Sequence, residues 1–384
     1  MTEDTPPNTA LLPSGLRDLL PPEAEIEAAT VAALMDTFSA HGYQRVKPPL
    51  IEFEDGLLAG SGAAMTDQTF RVMDPDTHRM MGLRADMTPQ VARIAATRLA
   101  GSPRPLRLSY AGQCLRVRGS QIAPDRQVAQ AGLELLGVDG PAADAEIVLV
   151  GAEALAGVGM GRVSFDLTLP QLAPTLLDEA GITGTARLAL IRALDRKDAA
   201  AVAEHGGPLA GLLTDLLLVA GPARPALEML EAARLPPLSA ALCARLHQTV
   251  QAILNQAPNL RLTLDPIEFR GFRYHTGVCV TVFAPGRHEE LGRGGRYLSE
   301  DGEPATGLTL YPDAMLRALP PAFVRPRAFL PWNTLHTQGA ALRREGYATI
   351  PALRDGIDPR REAVRLGCTH ILQDGAAVPL TTEN

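Results

Sequence analysis

Arg84, Asp86, Arg116, Gln130, Glu134 and Arg270 sit in stretches whose other residues read as buried strand or strand end. Burying a lone charge costs several kcal/mol, so such residues are either paired or line a wet pocket. The chemistry they offer is recognition. Carboxylates accept N–H bonds from a cation, guanidinium groups grip a carboxylate or phosphate, and a glutamine amide serves either kind of partner. The chain carries no G-x-x-x-x-G-K-[ST], no G-x-G-x-x-G after a strand, no H-E-x-x-H and no G-x-S-x-G. Its eight histidines are scattered without ligand spacing, so neither a metal nor a cofactor is expected.

Periodicity predicts the elements that must position these residues. Leu106 to Arg118 alternates as a strand, with Leu106, Leu108, Tyr110, Gly112, Cys114, Arg116 and Arg118 on one face. After the loop GSQIAPD, Gln127 to Leu136 returns as a second strand with Gln130, Gly132 and Glu134 sharing a face. Gln130 and Glu134 then lie about 13 Å apart along the strand. Thr88 to Leu99 reads as a helix with Pro89 in its first turn, so Asp86 is as readily a helix cap as a ligand contact. Gln130 and Glu134 also read as paired structural polar residues, and Arg116 and Arg118 as partners of neighbouring carboxylates.

Around them, 22–41 reads as a helix, 43–53 as an extended segment broken by Pro48-Pro49, and 69–83 as a hairpin. Residues 142–160 and 170–255 carry Ala and Leu at helical spacing. Sheet signal resumes at 260–264, 277–283 and 306–311, before a short helix to Leu319. GRGGRY (292–297) has the composition of a tight turn or of close backbone packing. A proline-rich linker over 320–332 leads to a small α/β unit: helix 334–345, strand 348–350, helix 359–366, strand 369–372.

Of 384 residues, 46% are hydrophobic and 21% charged, which excludes wholesale disorder. No apolar run reaches the length of a membrane span, and MTEDTPPNTA is too polar and acidic for a secretory signal. The four cysteines lie far apart, so no disulfide framework is expected and a cytoplasmic location is the default. A net charge of −7 counts against a nucleic-acid partner.

Five segments in order make the chain recognisable: LRADMT (83–88), CLRVRG (114–119), RQVAQAGLELLG (126–137), RGFRYHTG (270–277) and GRGGRY (292–297). They resemble the L-R-P-E-x-T, F-R-x-E-R, R-E-F-x-Q-x-x-x-E-x-x-G, R-G-L-D-Y-Y and G-G-R-Y-D segments of histidyl-tRNA synthetase. The resemblance covers roughly residues 10–319. It implies an α+β fold, the antiparallel sheet of class II aminoacyl-tRNA synthetases flanked by helices. It also implies a division into a core over 1–175 and 256–319, a helical insertion at 176–255, and a linker with a reduced C-terminal domain at 320–384.

The departures from that family decide the expected function. Activating an amino acid needs cations on the developing phosphoryl oxygens. Arg116 matches the arginine of the second motif, but GLTLYPDAML (307–316) places Ala314 where the third-motif arginine stands and Tyr311 where a glycine leaves room for adenine. Arg118 and Gly119 replace the glutamate and arginine that hold the nucleotide. Losing one such donor costs about 10²–10³ in rate.

The amino-acid end is better kept. By resemblance, Asp86 meets an α-ammonium, Thr88, Gln130 and Glu134 are histidine contacts, and Arg270 faces the carboxylate. Tyr274 keeps a family tyrosine, whereas Arg273 and His275 do not match. His275 can stack on the ligand or repel it, depending on its charge.

Synthetase segments, a kept histidine pocket and a broken ATP site resemble the regulatory subunit of ATP phosphoribosyltransferase. That resemblance implies a non-catalytic chain that pairs with itself and with the short-form catalytic subunit, activating it and transmitting histidine inhibition in histidine biosynthesis. No tRNA and no membrane partner is expected. Two other readings stay open on sequence alone: an active histidyl-tRNA synthetase, or a free-standing synthetase-like adenylating enzyme.

Overall fold

The computed structural model describes residues 11–119, 123–269, 274–299, 301–319 and 325–380. The chain divides into two compact units, Met1–Leu319 and Pro320–Asn384. Twelve strands of the first unit are, in chain order among the described residues, β1 Gln44–Arg45, β2 Ile51–Phe53, β3 Phe70–Met73, β4 Met80–Leu83, β5 Leu106–Leu115, β6 Gln127–Leu136, β7 Ser164–Thr168, β8 Gly221–Pro222, β9 Arg261–Asp265, β10 His275–Phe283, β11 Glu290–Leu298 and β12 Pro304–Leu310. Its helices are α1 Glu23–Ala40, α2 Glu54–Leu57, α3 Thr88–Thr97, α4 Pro141–Gly157, α5 Leu172–Glu179, α6 Gly184–Asp195, α7 Ala199–His205, α8 Ala210–Leu218, α9 Ala223–Ala232, α10 Pro237–Gln256 and α11 Pro312–Ala318.

The main sheet runs β1-β5-β6-β12-β11-β10-β7-β9-β8. It is antiparallel from β5 through to β7, with parallel pairs at β1–β5 and β7–β9. Side-chain alternation sorts its two faces. Ala131, Leu133 and Leu135 of β6, Leu308 and Leu310 of β12, and Val278, Val280 and Val282 of β10 join the core under the helices. That core includes Leu34 and Phe38 of α1, Ile147 and Val148 of α4, and Val250 and Ile253 of α10. The opposite face of the same strands carries Gln130, Glu134 and Thr309, with Met87, Val91 and Ala95 beside Leu108 and Tyr110 in a second, smaller core. Strands covered on both sides thus have one apolar face and one face free to build a site.

A separate three-stranded antiparallel sheet, β2-β4-β3, holds the hairpin. The segment read as extended over 43–53 is two short strands that part at the prolines, which cannot donate to a ladder. Two expectations are corrected. GRGGRY is no turn: it lies within β11, between β10 and β12 in the main sheet. Its glycines are required there, because Gly295 has φ 141° and a Cβ on it would sit 2.6 Å from the Cα of Cys279. The stretch read as a linker to residue 332 contains a strand, β13 Arg327–Leu330.

The second unit continues with α12 His336–Arg344, β14 Ala348–Pro351, α13 Pro359–Arg365, β15 His370–Gln373 and β16 Ala376–Pro379, its sheet running β14-β13-β15-β16. One face packs Ala328, Leu330 and Leu372 with Leu342 of α12; the other packs Phe329 and Ile371 with Ala363 of α13. Asp358 caps α13 by accepting from the backbone N–H groups of Arg360 and Arg361.

Candidate ligand-binding site

Glu134 lies opposite Leu108 of β5 on one side and Gly307 of β12 on the other. A Cβ on Gly307 would overlap the Glu134 carboxylate, so glycine there is what lets the side chain lie across the sheet. Three hydroxyls surround it. Thr88, at the head of α3, and Tyr110 donate to Oε1 at 2.9 and 3.2 Å, and Tyr297 of β11 donates to Oε2 at 3.0 Å. Tyr110 also meets Thr309 Oγ1 at 2.7 Å and Thr88 Oγ1 at 3.1 Å. Sequence reasoning passed over Tyr110, Tyr297 and Thr309; the signal was their shared face with Glu134 once the strands are paired.

Glu134 is 1% exposed, and burial pushes its pKa up to about 8 against the pull of the Thr88 and Tyr297 hydroxyls. Between its ordinary value of 4.5 and about 8, the folded chain therefore holds a proton that the unfolded chain has released. Stability attributable to Glu134 falls as pH rises through that window. Thermal melts from pH 5 to pH 8 are expected to show a decline that Glu134→Gln flattens. Parallel curves for the two proteins would contradict this.

A cavity of about 420 Å³ opens over this network, within the size range of small-molecule sites. Asp86, Thr88, Arg116, Glu134, Tyr274 and His275 all line it. Asp86 is not the helix cap, since Met87 holds that position without a capping side chain. Asp86, the residue before it, accepts the Thr88 backbone N–H through Oδ1 at 3.3 Å and lines the wall. His275 is 5% exposed and stacks on Tyr274 with ring centroids 4.3 Å apart. Burial, helped by the positive field of Arg293, brings its pKa down to about 3, so the imidazole is neutral and packs rather than repels.

Gln130 is fully buried but is not among the lining residues; its Oε1 accepts the Met87 N–H at 3.0 Å and the Cys114 thiol at 3.3 Å. It fixes the start of α3 from behind the wall. Arg84 is likewise structural, donating to the carbonyls of Gln113, Pro48 and Pro49. Arg270 and Arg273 lie outside the described residues. Arg293 of β11 lines the cavity and was not anticipated.

The rest of the wall is poorly made for a triphosphate. Ala314 is 3% exposed and packs into the helical core, and Tyr311 stands beside it. Arg317, one turn along α11, bonds Glu289 through Nε at 3.0 Å and Asp125 at 3.1 Å. Asp125, Glu289, Glu290 and Asp313 add four carboxylates to the lining. Within the described residues no group of three His, Cys, Asp or Glu is placed to hold a metal ion, and no helix is long and apolar enough to cross a membrane.

Fold and site together define a class II synthetase-like protein. The family model described as histidyl-tRNA synthetase matches residues 15–315. A solved structure titled as an ATP phosphoribosyltransferase regulatory subunit/histidyl-tRNA synthetase from Bacillus halodurans superposes with a TM-score of 0.80 at 22% identity, covering 96% of this chain and 99% of that one. At that identity it speaks for the fold. Two curated relatives go further. The ATP phosphoribosyltransferase regulatory subunit of Gluconobacter oxydans is 54% identical over 97% of this chain and 98% of the relative. That of Paramagnetospirillum magneticum is 54% identical over the same shares. The chain belongs to the ATP phosphoribosyltransferase regulatory subunit family.

Proposed function

We propose that the chain is the histidine-sensing, non-catalytic subunit of an ATP phosphoribosyltransferase complex. It pairs with the short-form catalytic subunit, activates it, and transmits feedback inhibition by histidine in the first step of that pathway, in the cytoplasm and without tRNA. The observation that carries the reading is a single cavity with two unlike walls. One keeps Glu134 among three hydroxyl donors, suited to an imidazole N–H; the other has Ala314 in place of the third-motif arginine and sets four carboxylates beside Arg116, Arg118 and Arg317, two of them bonded by Arg317. In this reading Asp86 takes the α-ammonium, Tyr274 and His275 form an aromatic side, and Gln130 and Thr88 hold α3 in place. Arg270 stays assigned to the ligand by resemblance, and Arg116 lines the far end of the same cavity.

Self-association is part of the proposal. Ile51, Phe53, Phe70, Val72, Met81 and Leu83 share one face of the small sheet. Ile51, Phe53 and Val72 are 38%, 36% and 42% exposed, an apolar face that supports burial against a second copy.

The purified chain is expected to give no ATP–pyrophosphate exchange with histidine. Its complex with the catalytic subunit is expected to lose phosphoribosyl-transfer activity as histidine is titrated in. Robust exchange would restore the adenylating reading and overturn this one.

A further inference from the structure

We propose that Arg293 anchors the ligand's carboxylate and so makes the site select an amino acid over analogues that lack that group. The inference rests on the histidine-sensing reading and assigns one of its contacts to a residue that the motif comparison leaves out.

The argument is one of sheet geometry. Glu134, Gly307 and Gly295 lie side by side on neighbouring strands β6, β12 and β11. Arg293 is two residues from Gly295 along β11, hence on the same face, and it pairs with Thr309 and Thr281. By standard strand spacing, the Cα atoms of Glu134 and Arg293 stand about 12 Å apart. An inward-reaching glutamate and arginine leave room between them for one amino acid, and the glycines at 295 and 307 keep that floor low.

Of the other arginines, Arg116, Arg118 and Arg317 also line the cavity, whereas Arg84 and Arg296 do not. Arg296 points to the opposite face, where it bonds Asp144. Arg84 is held by backbone carbonyls, and Arg317 by Glu289 and Asp125. Arg118 is exposed. Arg116 lines the cavity but is eight residues along the chain from Leu108, the partner of Glu134, about 26 Å at strand rise. No single amino acid spans that distance.

The surroundings of Arg293 also suit the role. Its side chain is 29% exposed, and its Nε lies 3.5 Å from Glu290, whose own side chain is 37% exposed. Tyr274 and Tyr311 stand on the same wall. A planar guanidinium there can take a carboxylate through two parallel N–H bonds, a geometry that lysine lacks.

The test compares histidine with histidinol, which replaces the carboxylate by an alcohol, by calorimetry on the full chain, with melting curves as a control for folding. The wild type is expected to prefer histidine by at least tenfold. Arg293→Gln should weaken histidine at least tenfold and change histidinol less than twofold, so the preference collapses; Arg293→Lys should fall between. Preference retained in both variants overturns the assignment, as does its loss on Arg270→Gln with Arg293 intact. A wild-type chain that binds neither compound sinks the histidine-sensing reading itself, a result distinct from the other two.

Discussion

Glu134→Gln is expected to relieve histidine inhibition of the complex by roughly tenfold to a hundredfold in histidine concentration while leaving assembly intact. The substitution keeps the volume and one acceptor oxygen, enough for the Thr88 and Tyr110 hydroxyls that share Oε1, but puts an amide NH2 where Tyr297 donates to Oε2 and removes the carboxylate. Assayed above pH 8, where Glu134 is ionised, its hydrogen bonds are to a charged group and contribute about 1.5–3 kcal/mol, and each 1.4 kcal/mol is about tenfold in affinity. Glu134→Ala should cost more, since it also leaves hydroxyls without their acceptor. Histidine titration of transferase activity, with gel filtration of the complex alongside, reads both halves of the prediction. Unchanged inhibition would remove Glu134 from the site.

The largest loss of stability is expected on the other side of the sheet. Asp144, on α4, is 2% exposed and Arg296, on β11, 3%. The pair meets at 2.9 Å through Nε, with Arg245 3.5 Å from Asp144; the carbonyls of Val138 and Gly140 and the Asp139 carboxylate, 3.2 Å away, take the remaining Arg296 donors. Burial alone would hold Asp144 well above the usual carboxylate range; the two guanidinium groups pull it part of the way back. Asp144→Ala leaves a buried guanidinium without its main partner, which costs about 3–5 kcal/mol. Denaturant titration is expected to show a midpoint shift of that size. A change below 1 kcal/mol would mean water reaches Arg296 and the pair is not sealed.

The strands that build the site were legible where apolar and polar residues alternate. Leu106–Leu115 and Gln127–Leu136 read directly because one face of each is plainly core. Glu134 and Asp86, singled out as polar residues in buried stretches, and Thr88 and Tyr274, singled out by resemblance alone, all line the cavity. Gln130 does not: strand parity places a side chain on a face but cannot say that a backbone N–H at the head of α3 will claim it. Tyr110, Tyr297 and Thr309 escaped notice because a hydroxyl on a largely apolar side chain is indistinguishable from core until strands are paired. β11 was missed for a related reason. Three glycines in six residues erase the alternation that marks a strand, and what requires them is contact with β10 and β12, which belongs to tertiary structure. Ser164–Thr168 is five residues long between helical stretches, too short to stand out.

β11 carries two duties on alternate positions. Arg293 and Tyr297 turn to the cavity, while Arg296 turns to α4. A mutational scan along this strand should therefore come out striped. Positions 293 and 297 should yield soluble protein deaf to its effector; position 296 should yield protein scarce in the cell. A selection for bacteria that overproduce histidine would recover the first kind and hardly ever the second.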